Sequence, residues 1–270
     1  MDEAEVIART PAPVTAATLL ADLRALGVTE GAVVLAHVAM SELGWVAGGA
    51  QAVVESLLAA VGATGTLVVP TQSAHLSDPA RWEAPPVPPS WVEPIRRALP
   101  LFHPALTPTR GMGEVADCLR RHPDAVRSHH PTVSFAACGP LASELMAGHP
   151  LSPGLGEGSP LARLYDADAL VLLLGVDHRR DTSLHLAEHR ASWPGKRRSV
   201  EGAALLVEGQ RRWVAYEDLE LDDSDFAALG DAFAATAAER RGPVGAGSGR
   251  LCRQRALVDF AVDFLGRHRR

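Results

Sequence analysis

The chain has 270 residues, 47% of them hydrophobic, enough to bury a sizeable core in one large domain. Its formal net charge of −6 argues against nonspecific nucleic-acid binding. No apolar run approaches the roughly 20 residues needed to span a bilayer, which argues against a membrane protein. Three cysteines, Cys118, Cys138 and Cys252, form an odd set without C-x-x-C spacing. The N-terminal stretch has no apolar signal core. A reduced, cytoplasmic protein is the expectation.

In chain order, residues 15–26 carry leucines at helical spacing and Gly27 as a stop. Residues 32–38 form a short apolar run, hence a buried strand. A glycine-bearing loop, a helix ended by Gly62 and a strand at 65–69 follow, which together predict a right-handed parallel crossover. Residues 71–108 are rich in proline and hold Trp82 and Trp91. So long an irregular segment with two tryptophans and few charges reads as an ordered wall or lid. A helix is expected at 113–121, a strand at 132–138, short helices at 141–147 and 160–164, and the central strand at 169–176. Residues 200–207 and 211–216 read as a hairpin turning at 208–210. An acidic loop at 217–225 leads into a helix over 226–240, Gly245 to Gly249 read as a turn, and a last helix covers 255–267.

The stretch after the central strand carries the chemistry. His185 falls in the first turn of a helix, where the positive end of the helix dipole favours a neutral imidazole able to accept a proton. Glu188 and His189 stand at i+3 and i+4 on the same face. The spelling H-x-x-E-H is also a zinc-hydrolase pattern, so a general base and a metal pair are both open readings. The loop from His37 to Gly49 leads into a helix N-terminus, where unpaired N–H groups and glycines suit a phosphate. Thr109, Arg110, Gly111, Met112 and Gly113 make a second such segment, with Arg110 able to pair with an anion. Ser159 and Pro160 read as a helix cap and first helical residue.

Five segments in order resemble the aminoglycoside 3-N-acetyltransferase family. They are Leu35-Ala36-His37-Val38-Ala39-Met40-Ser41-Glu42-Leu43-Gly44-Trp45, Thr107-Pro108-Thr109-Arg110-Gly111-Met112-Gly113, His130-Pro131-Thr132-Val133-Ser134-Phe135, Gly156-Glu157-Gly158-Ser159-Pro160-Leu161, and Leu172-Leu173-Leu174-Gly175-Val176 through to Glu188. The resemblance runs from about Leu20 to the final helix. It implies a three-layer α/β/α sandwich around a mixed, largely parallel sheet, as a single domain over residues 1–270, with residues 71–108 walling a substrate cleft. It implies acetyl-CoA as co-substrate, no metal, and acetyl transfer to the 3-amino group of a cationic aminoglycoside, by a monomer or homodimer. Coenzyme A is then expected against His37, Val38, Ala39, Ser41, Leu43 and Gly44, and against Thr109, Arg110, Gly111, Met112 and Gly113. The catalytic histidine matches His185. Its acidic partner falls in the acidic loop, best at Glu220, with Asp218 and Asp222 nearby. The aminoglycoside is expected to meet His75, Asp78, Glu157, Asp181, Glu188 and Asp222, and Ser183 offers a hydroxyl for the oxyanion. This chain departs from the family in having Ala39 for Ser, His75 for Asp, Asp181 for Asn, and His189 for an aromatic residue. The last change makes H-x-x-E-H an accidental spelling. An acetyltransferase acting on another amine, and a zinc hydrolase, are the alternatives.

Overall fold

The computed structural model describes residues 2–270. Its strands are β1 (Val33–Val38), β2 (Thr66–Pro70), β3 (Val126–Arg127), β4 (Phe135–Cys138), β5 (Leu170–Leu174), β6 (Arg198–Val207), β7 (Gln210–Leu219), β8 (Arg240–Val244) and β9 (Gly247–Arg253). Its helices are α1 (Glu3–Arg9), α2 (Ala16–Leu26), α3 (Gly49–Val61), α4 (Val92–Ala98), α5 (Gly113–Arg120), α6 (Ala142–Met146), α7 (Pro160–Asp166), α8 (Ser183–Arg190), α9 (Phe226–Ala234) and α10 (Gln254–His268). Seven strands form one sheet in the order β3-β4-β2-β1-β5-β9-β8, and β6 with β7 makes a separate hairpin.

The apolar runs of β1 and β5 lie side by side at the centre. Val34 pairs with Leu170 and His37 with Leu173, in parallel. On its other side β1 pairs with β2, again in parallel, through the crossover helix α3. Helix α2 starts where Thr15 accepts a hydrogen bond from Thr18 N, and it stops at Gly27 with φ +116°, a conformation glycine adopts without steric cost. Because side chains alternate along a strand, the sheet feeds two cores. Leu35, Val171 and Leu173 pack with Leu184 of α8 and Leu257 of α10. Val34, Leu172 and Leu174 pack with Leu23 of α2 and Leu57 of α3.

The sheet is mixed, but it is not largely parallel. The two pairings of β1 are parallel, and the other four are antiparallel. Short connections account for two of the four, β3 with β4 and β8 with β9, since a tight turn joins only antiparallel neighbours; these two hairpins then add antiparallel to β2 and β5. The expected helix over 226–240 ends at Ala234, and Ala237 takes φ +60°. The chain beyond it forms β8 and β9, of which only the turn at 245–246 was expected. The expected acidic loop is shortened as well, because Glu217, Asp218 and Leu219 belong to β7.

Residues 71–108 contain α4 and three single 3₁₀ turns. Both ends of the segment are stapled by Arg127 of β3. Its guanidinium donates to Thr71 O at 2.7 Å, Pro104 O at 3.1 Å and Thr107 O at 2.5 Å. No helix among the described residues is long and apolar enough to cross a membrane.

Gly175, which turns the chain out of β5, has φ +67°, and a Cβ there would collide with Glu42 Cβ and stand 3.0 Å from Ala39 O. Gly175→Ala is expected to cost about 2 kcal/mol or more of folding stability. Denaturant unfolding measures it, and an unchanged midpoint would refute this packing.

Candidate active site

Because β1 and β5 are adjacent and parallel, their carboxyl ends open at the same edge of the sheet. Open α/β folds place ligands there. Ala39 N donates to Leu174 O at 2.9 Å, so the loop after β1 is tied to the end of β5. A cleft of about 540 Å³ opens at this point. It is lined by His37, Val38 and Ala39, by Gly111, Met112 and Gly113, and by Asp181, Thr182 and His185. Two segments expected to meet coenzyme A thus share one cleft with the expected base. Gly111 has φ +74°, and no atom lies within 4 Å of where its Cβ would stand. This is open room for a ligand to approach the backbone at the start of α5.

The remaining residues of those segments lie outside the cleft wall. Leu43 is fully buried in the core. Gly44 packs against Ala246 and Thr10, so its lack of a side chain serves loop packing. Ser41 lies in a 3₁₀ turn after β1. Thr109 and Arg110 precede the lining glycine, and Arg110 N donates to Gln72 O at 2.9 Å.

His185 sits in the first turn of α8. Its Nδ1 is 2.5 Å from Glu188 Oε2, one helical turn on, and its ring packs against Phe226 at 5.1 Å between centroids. Glu188 is fully buried, so its charge must be matched inside the protein. Its other oxygen, Oε1, accepts from Asp222 N at 2.9 Å and from Arg269 Nη1 at 2.6 Å. With Nδ1–H donated to the carboxylate, Nε2 of His185 is left as the acceptor.

This corrects the expected dyad. Glu220 does not reach His185; it is half exposed and lies 3.6 Å from Arg197. Its neighbour Asp222 meets the site through its backbone N–H, while its carboxylate accepts from Ser224 N. Asp218 accepts from Gly154 N at 2.8 Å. The carboxylate that His185 meets is on its own helix, because i and i+3 side chains share a helix face.

Asp181 lies on the cleft wall within a buried chain of charges. Its Oδ1 accepts from Ser183 N at 3.0 Å, and its Oδ2 is 3.0 Å from His178 Nδ1. His178 Nε2 lies 2.7 Å from Glu239 Oε2. Burial opposes charge on His178, but the two carboxylates outweigh it and lift its pKa to about 9. His37 Nε2 stands 3.9 Å from Asp181 Oδ1 and has no hydrogen-bond partner among the described residues. Burial drives His37 toward its neutral form against the pull of Asp181.

The other residues expected to meet a cationic substrate are already engaged. Asp78 takes both Nε and Nη2 of Arg96, at 3.0 and 2.6 Å. Glu157 pairs with Arg190 at 2.7 Å. Burial holds the His75 pKa down, as do Arg110 and Arg127. Asp78, Glu157 and His75 do not line the cleft, and Asp181 and Glu188 have their internal partners. Ser183 is wholly buried with an unpartnered Oγ; the neighbouring Thr182 is the hydroxyl on the cleft wall.

H-x-x-E-H does not form a convergent set. His189 Nε2 lies 4.0 Å from Asp218 Oδ1, its ring packs on Gly156, and both Glu188 oxygens are occupied. Among the described residues no group of three His, Cys, Asp or Glu side chains is arranged around a common point. Of the acidic loop, which sequence reasoning offered as the source of the partner, Asp223 lines the cleft; sequence reasoning missed Arg179 and Arg180 on the cleft wall and Arg269 behind Glu188. Nothing marks Arg269 in the basic run Arg267-His268-Arg269-Arg270, which resembles any solvated helix end.

Comparisons with known proteins meet this geometry. The family model described as aminoglycoside 3-N-acetyltransferase matches residues 35–266. The chain is similar to the SPbeta prophage-derived aminoglycoside N(3')-acetyltransferase-like protein YokD of Bacillus subtilis strain 168. The two are 42% identical, over 95% of this chain and 94% of that protein. It is 44% identical to aminoglycoside N(3)-acetyltransferase VIII of Streptomyces fradiae, over 82% of this chain and 76% of that one. Its fold is similar to that of AAC-IIIb in a binary complex with CoASH, with a TM-score of 0.84 and 32% identity, covering 94% of this chain and 97% of the other.

The charge chain generates a test. An imidazole whose pKa is raised from 6.5 to about 9 by folding contributes stability that is fully present below pH 6.5 and is lost as pH rises through 9. The stability difference between wild type and His178→Gln, measured by urea unfolding, should therefore narrow between pH 6.5 and 9. A constant difference over that window would refute a charged His178.

Proposed function

The chain belongs to the aminoglycoside 3-N-acetyltransferase family, and from that premise we propose that it moves acetyl from acetyl-CoA to the 3-amino group of a 2-deoxystreptamine aminoglycoside. The observation that carries the reading is one cleft lined by His185 together with His37 to Ala39 and Gly111 to Gly113. A relative of matching fold bound CoASH, which supports coenzyme A as the ligand of those two segments. The cores on either face of the sheet support an α/β/α layering within one domain, and the stapling by Arg127 supports residues 71–108 as a cleft wall. Three free thiols fit a reducing, cytoplasmic setting.

Acetyl-CoA supplies the activated thioester. The attacking amine must be neutral at nitrogen, and His185 Nε2 takes the proton it sheds. Glu188 holds Nδ1–H, keeps the required tautomer and stabilises the imidazolium. The imidazolium then returns its proton to the departing thiolate. Thr182 and the N–H groups at the start of α5 border the cleft where negative charge develops on oxygen.

A second reading, transfer to another amine, is favoured by one observation. Asp78 and Glu157, expected to face ammonium groups, are already paired with Arg96 and Arg190. Thiol release with gentamicin-, kanamycin- and neomycin-like amines separates the two readings. Turnover of none of them removes the aminoglycoside.

His185→Ala is expected to lower kcat by about 10²–10⁴-fold, while coenzyme A still raises the melting temperature. Near-wild-type turnover would remove His185 as the base. Glu188→Gln should also lose rate, whereas Glu220→Gln should not. The reverse order would restore Glu220 to the dyad.

A further inference from the structure

The penultimate residue of the chain reaches the candidate base. Helix α10 ends at His268, and Arg269 continues in extended conformation at φ −82°, ψ 141°. Its side chain is only 9% exposed, unusual for an arginine. Nη1 donates to Glu188 Oε1 at 2.6 Å. Nε and Nη2 form a fork on Asp225 at 2.8 and 2.6 Å, and Nη2 also donates to the Asp222 carbonyl. The guanidinium lies over the Trp193 ring, 5.0 Å from its centre. The geometry is that of a planar cation fixed on three sides, with its remaining donor spent on the carboxylate of the dyad.

We infer that Arg269 is a positioning residue for acetyl transfer, holding the Glu188 carboxylate aligned on His185. This rests on the reading of His185 as the base. The physical reason is the burial of Glu188. A carboxylate without solvent and with only an imidazole for a partner stabilises the imidazolium strongly and holds the proton there. A second, permanent cation on Oε1 keeps the carboxylate charged whichever form His185 takes. The base is then free to cycle.

Other charged groups face the dyad. His37 comes from β1, His189 from α8, Lys196 from the segment after α8, and Asp222 and Asp225 from the loop before α9. Among the described residues only Arg269 and His185 hydrogen-bond the Glu188 carboxylate through their side chains.

The test uses the full chain as wild type, Arg269→Gln, Arg269→Lys and Asp225→Asn. The His185 ring is titrated by NMR without any substrate, and acetyl transfer is followed over pH. Removing the cation should move the His185 midpoint and the acid limb of kcat/KM to higher pH. It should also lower kcat at least about tenfold, with the KM for acetyl-CoA little changed. Arg269→Lys should restore most of both effects. Asp225→Asn loosens the guanidinium without touching Glu188, and it should shift both in the same direction by less; it decides the matter if the Gln variant does not fold. Unchanged titration and turnover in Arg269→Gln would overturn the inference. So would a rate loss with no shift in either pH profile and no rescue by lysine, since that marks a structural role alone. A wild type that transfers no acetyl would sink the proposed function and this role in acetyl transfer with it, even if the His185 titration still responds to Arg269; failure of the inference alone shows as a working transferase whose His185 and pH profile ignore Arg269.

Discussion

Glu188 is a carboxylate with no access to water, and the surroundings of His185 follow from that. An isolated charge cannot be kept in a protein interior, so every lone pair must find a donor. Its donors come from three separate places: the imidazole one helical turn back, the backbone of the loop before α9, and the last turn of chain beyond α10. Satisfying one charge therefore gathers α8, that loop and the C-terminal end against each other. The aromatic ring of Phe226, from the same region, closes on His185.

The cleft exists because of how β1 and β5 pair. Parallel neighbours send their carboxyl ends to the same edge, and there the loop after β1 and the start of α8 are forced together. The tight turn at Gly175 and the bond from Ala39 N to Leu174 O hold that edge closed on the core side. The outer strands contribute differently. Glu239, just before β8, anchors His178, which anchors Asp181 on the cleft wall. A hairpin at the sheet's rim thus supports the floor of the site from behind.

The carboxylates expected to meet a polycation are mostly settled within the molecule. Asp78, Glu157, Asp181 and Glu188 each have a cationic partner in the fold. Such pairs leave little free negative potential for a polycation, since a carboxylate that already shares an arginine fork gains less from a second cation. His75, beside Arg110, does not add any. These pairings bear on the acceptor amine more directly than the overall charge of −6, which is a property of the whole surface.

The sequence by itself determined the central elements and pointed to His185 as the candidate base. The apolar runs at β1, β2 and β5 were legible because a strand buried on both faces needs unbroken hydrophobicity. The helices α2, α3 and α10 were legible from leucine periodicity and glycine stops. His185 was legible because a histidine in the first helical turn after a central strand is a local pattern. The antiparallel β8 and β9 were not, since Arg240, Arg241 and the glycines around Gly245 lack any strand alternation; they are held by pairing to β5, not by their own residues. The partner of His185 was placed some distance downstream, at Glu220, because charge density in the sequence drew attention there. Only the tertiary structure decided for Glu188. Burial is a property of the folded whole, and it is burial that turns one glutamate among many into the carboxylate that must be satisfied, and Arg269 into the residue that satisfies it.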